Sequence, residues 1–213
     1  MVDAVSLRVF ALASLALVVI PGPAVLYIVA RSLNQGRMAG IVSVLGISVG
    51  AFVHVCAAAL GLSAILMSSA VAFTVVKYLG AAYLIYLGIR TLLAPNNSVT
   101  DDATEIDTRT HWRVFREGAV VNILNPKTAL FFFAFLPQFV NPTGSSIATQ
   151  IIVLGLIFVV IALVSDSVYA VAAGTLGGWL RRSRRFWDIQ KYVAGGTYIV
   201  LGVATAALGS DNK

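Results

Sequence analysis

Six apolar stretches of bilayer-spanning length follow one another along this chain, and that succession leaves few folds open. They run from about Val9 to Ala30, Ile41 to Leu66, Phe73 to Leu93, Val114 to Phe139, Ile147 to Leu176 and Tyr192 to Leu208. A bilayer core about 30 Å thick takes roughly 20 apolar residues at about 1.5 Å each, so the chain can hold six helical spans with short connections. Backbone groups in lipid must be satisfied internally, which favours helices over open sheets. Composition agrees: 59% of residues are hydrophobic and 11% charged, against about 45–50% and about 25% in soluble domains. The expected fold is an all-α polytopic membrane protein forming one membrane domain over 1–213. Ala11-Leu12-Ala13 resembles a signal cleavage site, but the apolar run continues past it, so the first helix is expected to stay uncleaved.

The charge of +6 would suggest nucleic acid in a soluble protein, but its distribution reads as topology. Arg31 and Arg37, then Arg90, Arg109, Arg113 and Arg116, then Arg181, Arg182, Arg184, Arg185 and Lys191 crowd three alternate connections. The other side has Arg8, Lys77 and Lys213. Positive residues stay inside, so both termini are expected outside a cell inner membrane, with no nucleic-acid partner. The polar segment 94–112 reads as a cytoplasmic linker between two halves.

The halves look related. Lys77-Tyr78, Ile85, Leu87 and Gly88 match Lys191-Tyr192, Ile199, Leu201 and Gly202 without gaps. The first and fourth stretches are both interrupted by proline, at Pro21-Gly22-Pro23 and at Asn125-Pro126. Repeats of three helices, about 5–93 and about 113–209, must cross in opposite directions, which makes an inverted repeat of the kind secondary transporters use. Proline removes a backbone donor, and freed carbonyls are tolerated in lipid only when buried or lining a wet cavity. Pro21, Gly22 and Pro23 therefore mark a candidate site, together with Asn122 and Asn125. Asn122 and Asn125 share a helix face, and Asn125, before proline, is biased away from helix, which would free its backbone for a ligand.

Three ionisable side chains lie deep in the apolar stretches: His54, Lys127 and Asp166. Helical rise from the nearest basic or glycine end puts Lys127 roughly 17 Å in, Asp166 roughly 22 Å, His54 about 21 Å and Pro23 about 12 Å. Charges at such depth cost about 2.5–3.5 kcal/mol and seek partners inside the bundle. A Lys127–Asp166 ion pair is one outcome. Others give Asp166 to a proton or substrate ammonium and Lys127 to a substrate carboxylate. Tyr169, one turn from Asp166, could serve the carboxylate or a ligand. His54 stands in a stripe of small residues, Gly46, Gly50, Ala57 and Gly61, so an interface hydrogen bond is its first reading and a proton relay its second. Cys56 reads as a small buried residue, and the Phe131–Phe133 run, with Phe135, as lipid contact or packing rather than a binding cage. One cysteine and two histidines offer neither disulfide relay nor metal site, and no nucleophile with a positioned base is evident. No enzyme activity, cofactor or metal is expected.

These motifs resemble the LysE/RhtB family of bacterial amino-acid exporters over nearly the whole chain. The resemblance rests on Pro21-Gly22-Pro23, Gln35-Gly36-Arg37, Gly46, Gly50 and His54, Ala59-Leu60-Gly61-Leu62-Ser63, Leu79-Gly80-Ala81-Ala82-Tyr83-Leu84, Phe115-Arg116-Glu117-Gly118, Asn122 and Leu124-Asn125-Pro126-Lys127, Phe135-Leu136-Pro137-Gln138-Phe139, Asp166 and Tyr169. It implies six spans, export of amino acids from the cytoplasm and coupling to the proton gradient. It leaves the particular amino acid open, and a transporter of an ion or other small metabolite is the alternative. A homodimer is open too, because Gly46–Gly50 and Gly174–Gly178 are spaced for close packing.

Overall fold

The computed structural model describes residues 4–62, 70–93, 110–141, 144 and 146–182, with 192, 196, 199, 200, 203, 206 and 207. Among these residues all regular structure is helical. Helices α1 (Ala4–Val19) and α2 (Pro23–Gln35) form a pair bent by 49°. Gly36, at φ +86, ends α2 in a conformation that L side chains rarely adopt, and α3 (Arg37–Ala57) starts directly behind it. A π turn extends α3 over Ala58–Leu62, and α4 covers Ala70–Leu93. The second bent pair, at 46°, is α5 (His111–Ile123) with α6 (Pro126–Leu130), which continues through a π turn and a 3-10 turn to Phe139. Helix α7 runs from Ile147 to Arg182.

Helix α3, from Arg37 to Gly61, and α7, from Ile147 to Thr175, are long and apolar enough to cross a membrane. Counting each bent pair as one span gives four. The expected third span falls on α4, which is not one of these four. The expected sixth, 192–208, falls mostly outside the described residues, as do most of the linker and Arg184, Arg185 and Lys191.

Helix α3 is central, lying along both α5 and α7. Two glycines set its distance from α5. A Cβ on Gly50 would meet the Ala119 carbonyl at 2.7 Å and the Asn122 Cβ at 2.8 Å, and Gly46 faces the Phe115 carbonyl more closely still. The small-residue stripe therefore serves packing within one chain, and Gly46–Gly50 is not available to a second copy. It also ends sooner than its spacing suggests. Ala57 already faces outward, and Gly61 has nothing within 4 Å because the wider winding of the π turn rotates it off the seam. Cys56, about half a turn from the buried His54, is exposed rather than buried. Gly50→Ala is expected to lower stability by about 1–3 kcal/mol through overpacking, read as a lower unfolding temperature in detergent. Gly61→Ala should leave that temperature unchanged; equal shifts would refute the seam.

Aromatic packing closes one end of the core. Phe10, Phe131, Phe135, Phe139 and Phe158 are buried with ring centroids 4.8–5.6 Å apart, in agreement with a packing role for the Phe run. The loop into α7 is pinned by buried Gln150, whose amide both accepts from the Asn141 N–H and donates to its carbonyl, at 2.9 Å each.

Candidate functional site

The two helix breaks meet at one cavity, and the prolines explain their form. A continuous helix would satisfy the Val19 carbonyl with the N–H of residue 23, and the Asn122 carbonyl with that of residue 126. Proline supplies neither. Each carbonyl is instead reached by a polar side chain from a long neighbouring helix. The Tyr169 hydroxyl of α7 donates to the Val19 carbonyl at 2.6 Å. A ring nitrogen of His54 on α3 lies 2.9 Å from the Asn122 carbonyl, which also takes the Asn125 N–H at 3.1 Å. His54 further stacks on Phe132, with centroids 6.2 Å apart.

The break around Asn125 is fixed by its own side chains. Asn122 Nδ2 donates to the Ile47 carbonyl at 2.7 Å, while its Oδ1 accepts from Thr128 Oγ1 at 2.9 Å and Asn125 Nδ2 at 3.2 Å. Asn125 Oδ1 caps α6 by accepting the Lys127 N–H at 3.1 Å. The expectation that Asn125 frees its backbone is corrected here: its N–H goes to Asn122, and its carbonyl takes the Ala129 N–H. A proline-imposed bend needs these bonds to hold one geometry.

Between the breaks lies a cavity of about 40 Å³ lined by Gly22, Ala24, Ser48, Asn122, Asn125, Lys127, Thr128 and Asp166, with apolar walls that include Phe158. Lys127 and Asp166 are 7% and 4% exposed, so both charges are removed from bulk water. The Lys127 ammonium donates to the Ile20 carbonyl, another group freed at the first break. Asp166 lines the same cavity and acts on that ammonium by charge. Among the described residues, no hydrogen-bond donor is assigned to the Asp166 carboxylate.

Of the residues singled out by sequence, Asp166, Lys127, Asn122, Asn125 and Gly22 come together at the cavity. His54, Tyr169, Pro21 and Pro23 stand behind it, shaping the breaks rather than lining the space. Tyr169 serves the Val19 carbonyl and not the Asp166 carboxylate. Ser48 and Thr128 line the cavity and were missed. Thr128 adjoins Lys127, which was a usable signal; Ser48 had only its polarity within an apolar run.

Comparison with known proteins places this arrangement. The profile of the LysE type translocators matches residues 15–209, which include both breaks and the cavity. The chain belongs to this family. LysE type translocators are membrane transporters. The chain is 32% identical over 196 residues to the membrane protein YrhP of Bacillus subtilis, covering 89% of this chain and 92% of that one. It is 29% identical over 187 residues to the homoserine/homoserine lactone efflux protein of Salmonella typhimurium, covering 88% and 89%. These relatives are bacterial, and the long apolar helices of this translocator suit the same membrane setting. No solved structure matches the chain.

Proposed function

We propose that this translocator exports a small amino acid or close derivative from the cytoplasm in exchange for protons. The observation that carries the reading is Asp166: a buried carboxylate without an assigned donor, facing a cavity that also holds the Lys127 ammonium. These two charges match the two ends of a zwitterion. The substrate ammonium goes to Asp166, and its carboxylate to Lys127 and the first turn of α2, where Gly22 has no side-chain cap and backbone N–H groups point toward negative charge. On the cytoplasmic side Asp166 gives up a proton as the ammonium arrives. On the outer side it takes one as the substrate leaves, so protons enter and substrate exits. The likeness to a homoserine/homoserine lactone efflux protein supports a small polar substrate of this type.

The cavity sets a further condition. At about 40 Å³ it holds a few water molecules, since each takes about 10–15 Å³ by the same measure. Binding sites for small organic molecules are about 300–1,000 Å³. At that volume the cavity admits no amino acid, so substrate enters only when the helices part. The matched bends support the inverted six-span repeat, with both termini outside and the arginine-rich connections in the cytoplasm.

The test is release of amino acids from cells preloaded with dipeptides, followed by mass spectrometry of the medium, with and without the translocator and with the proton gradient collapsed. One amino acid should leave at least several-fold faster with the protein, and the difference should vanish without the gradient. Equal release across the panel would remove the amino-acid reading in favour of an ion or another metabolite. Undiminished release without the gradient would remove the proton.

A further inference from the structure

A second, larger cavity of about 590 Å³ lies between α2 and α5 at the arginine-rich end, sharing none of the central cavity's lining residues. Its wall has three guanidinium groups, Arg31, Arg113 and Arg116, and one carboxylate, Glu117. That carboxylate is already engaged. Glu117 Oε1 accepts from Arg113 Nε at 3.0 Å, and Oε2 faces Arg31 at 3.5 Å and the Tyr27 hydroxyl at 3.3 Å. Arg31 also stacks over the Tyr27 ring, 5.2 Å from its centre. The wall keeps a charge of +2. Arg116 is exposed and, among the described residues, has no carboxylate partner.

The remainder is apolar and open. Val120 is 53% and Trp112 65% exposed, and Trp112 stacks on Phe115 at 5.5 Å. Tryptophan prefers the level where lipid headgroups meet hydrocarbon, and basic pockets between spanning helices suit anionic headgroups. A zwitterionic amino acid fits poorly: it has no net charge, and Glu117 is committed to its own arginines. The geometry points to a binding site for an anionic phospholipid, with its phosphate at Arg113 and Arg116 and its chains along Trp112 and Val120.

The full-length protein in nanodiscs of phosphatidylethanolamine with a small fraction of phosphatidylglycerol, released into native mass spectrometry, tests this. The wild type should retain one phosphatidylglycerol. Retention should fall about fivefold in Arg116→Gln and about 25-fold in Arg113→Gln/Arg116→Gln, from about 1 kcal/mol per interfacial charge. Trp112→Ala should weaken retention without touching charge, which separates lost binding from misfolding when the variants remain monodisperse. Equal retention by the arginine variants would overturn the site. Displacement by glycerol phosphate, which has no acyl chains, would overturn its assignment to lipid.

Discussion

Asp166→Asn is expected to reduce export to the level of cells lacking the protein while leaving membrane insertion intact. The side chains are nearly isosteric, so the walls of the cavity stay filled, but the amide can neither hold a proton in exchange nor attract an ammonium. Lys127→Met should behave differently. It removes the ammonium that bonds to the Ile20 carbonyl and leaves Asp166 buried without a compensating charge. Breaking a buried charge pair on one side costs on the order of 3–5 kcal/mol, much of it the remaining ion's desolvation. The single lysine variant should therefore unfold at a clearly lower temperature as well as fail to export. The double variant Asp166→Asn/Lys127→Met removes the stranded charge, so it should regain much of that stability but none of the transport. A double variant no more stable than Lys127→Met would show that the two charges do not act on each other. Export by Asp166→Asn at the parental rate would remove the carboxylate from the coupling mechanism.

The parts of this site that could be read in sequence are those where a local rule is broken. Charges at Lys127 and Asp166 violate the cost of entering lipid, and the prolines at 21, 23 and 126 violate helix continuity. Each announces itself without knowledge of its neighbours. Which side chain answers each violation is a matter of packing between segments far apart in the chain. Tyr169 meets Val19 across 150 positions, and His54 meets Asn122 across 68. From spacing alone Tyr169 belonged with Asp166, because both lie on one face of α7. The bend between α1 and α2 brings a freed carbonyl within its reach instead. The π turn at Ala58–Leu62 was equally illegible, since it changes the winding without any proline to mark it, and with it went the fate of Gly61. The basic cluster at Arg113 and Arg116 was readable as a topology signal. That it borders a cavity depends on where α2 sits.

The reciprocal pattern at the two breaks yields the second large effect. Tyr169→Phe removes one hydroxyl and leaves the Val19 carbonyl, in an apolar membrane segment without water to replace the bond, beside a proline that cannot serve it, a loss of about 1–3 kcal/mol. His54→Phe keeps an aromatic ring on Phe132 but removes the nitrogen from the Asn122 carbonyl, whose remaining bond is the tight turn to Asn125. Stability should fall in both, and more in Tyr169→Phe, where no second donor to the carbonyl is assigned among the described residues. The decisive background is Pro23→Ala. It returns an N–H at position 23, which can close an ordinary helical bond to Val19, so adding it to Tyr169→Phe should restore the unfolding temperature. Export should stay low in that double variant, because the added helical bond to Val19 pulls the Ile20 carbonyl away from Lys127 and the first turn of α2 away from the cavity. Recovery of stability with loss of transport would mean that the break is kept for function and that Tyr169 is there to make it tolerable in the membrane. If Tyr169→Phe alone unfolds at the parental temperature, the Val19 carbonyl finds another donor and the tyrosine needs a different explanation.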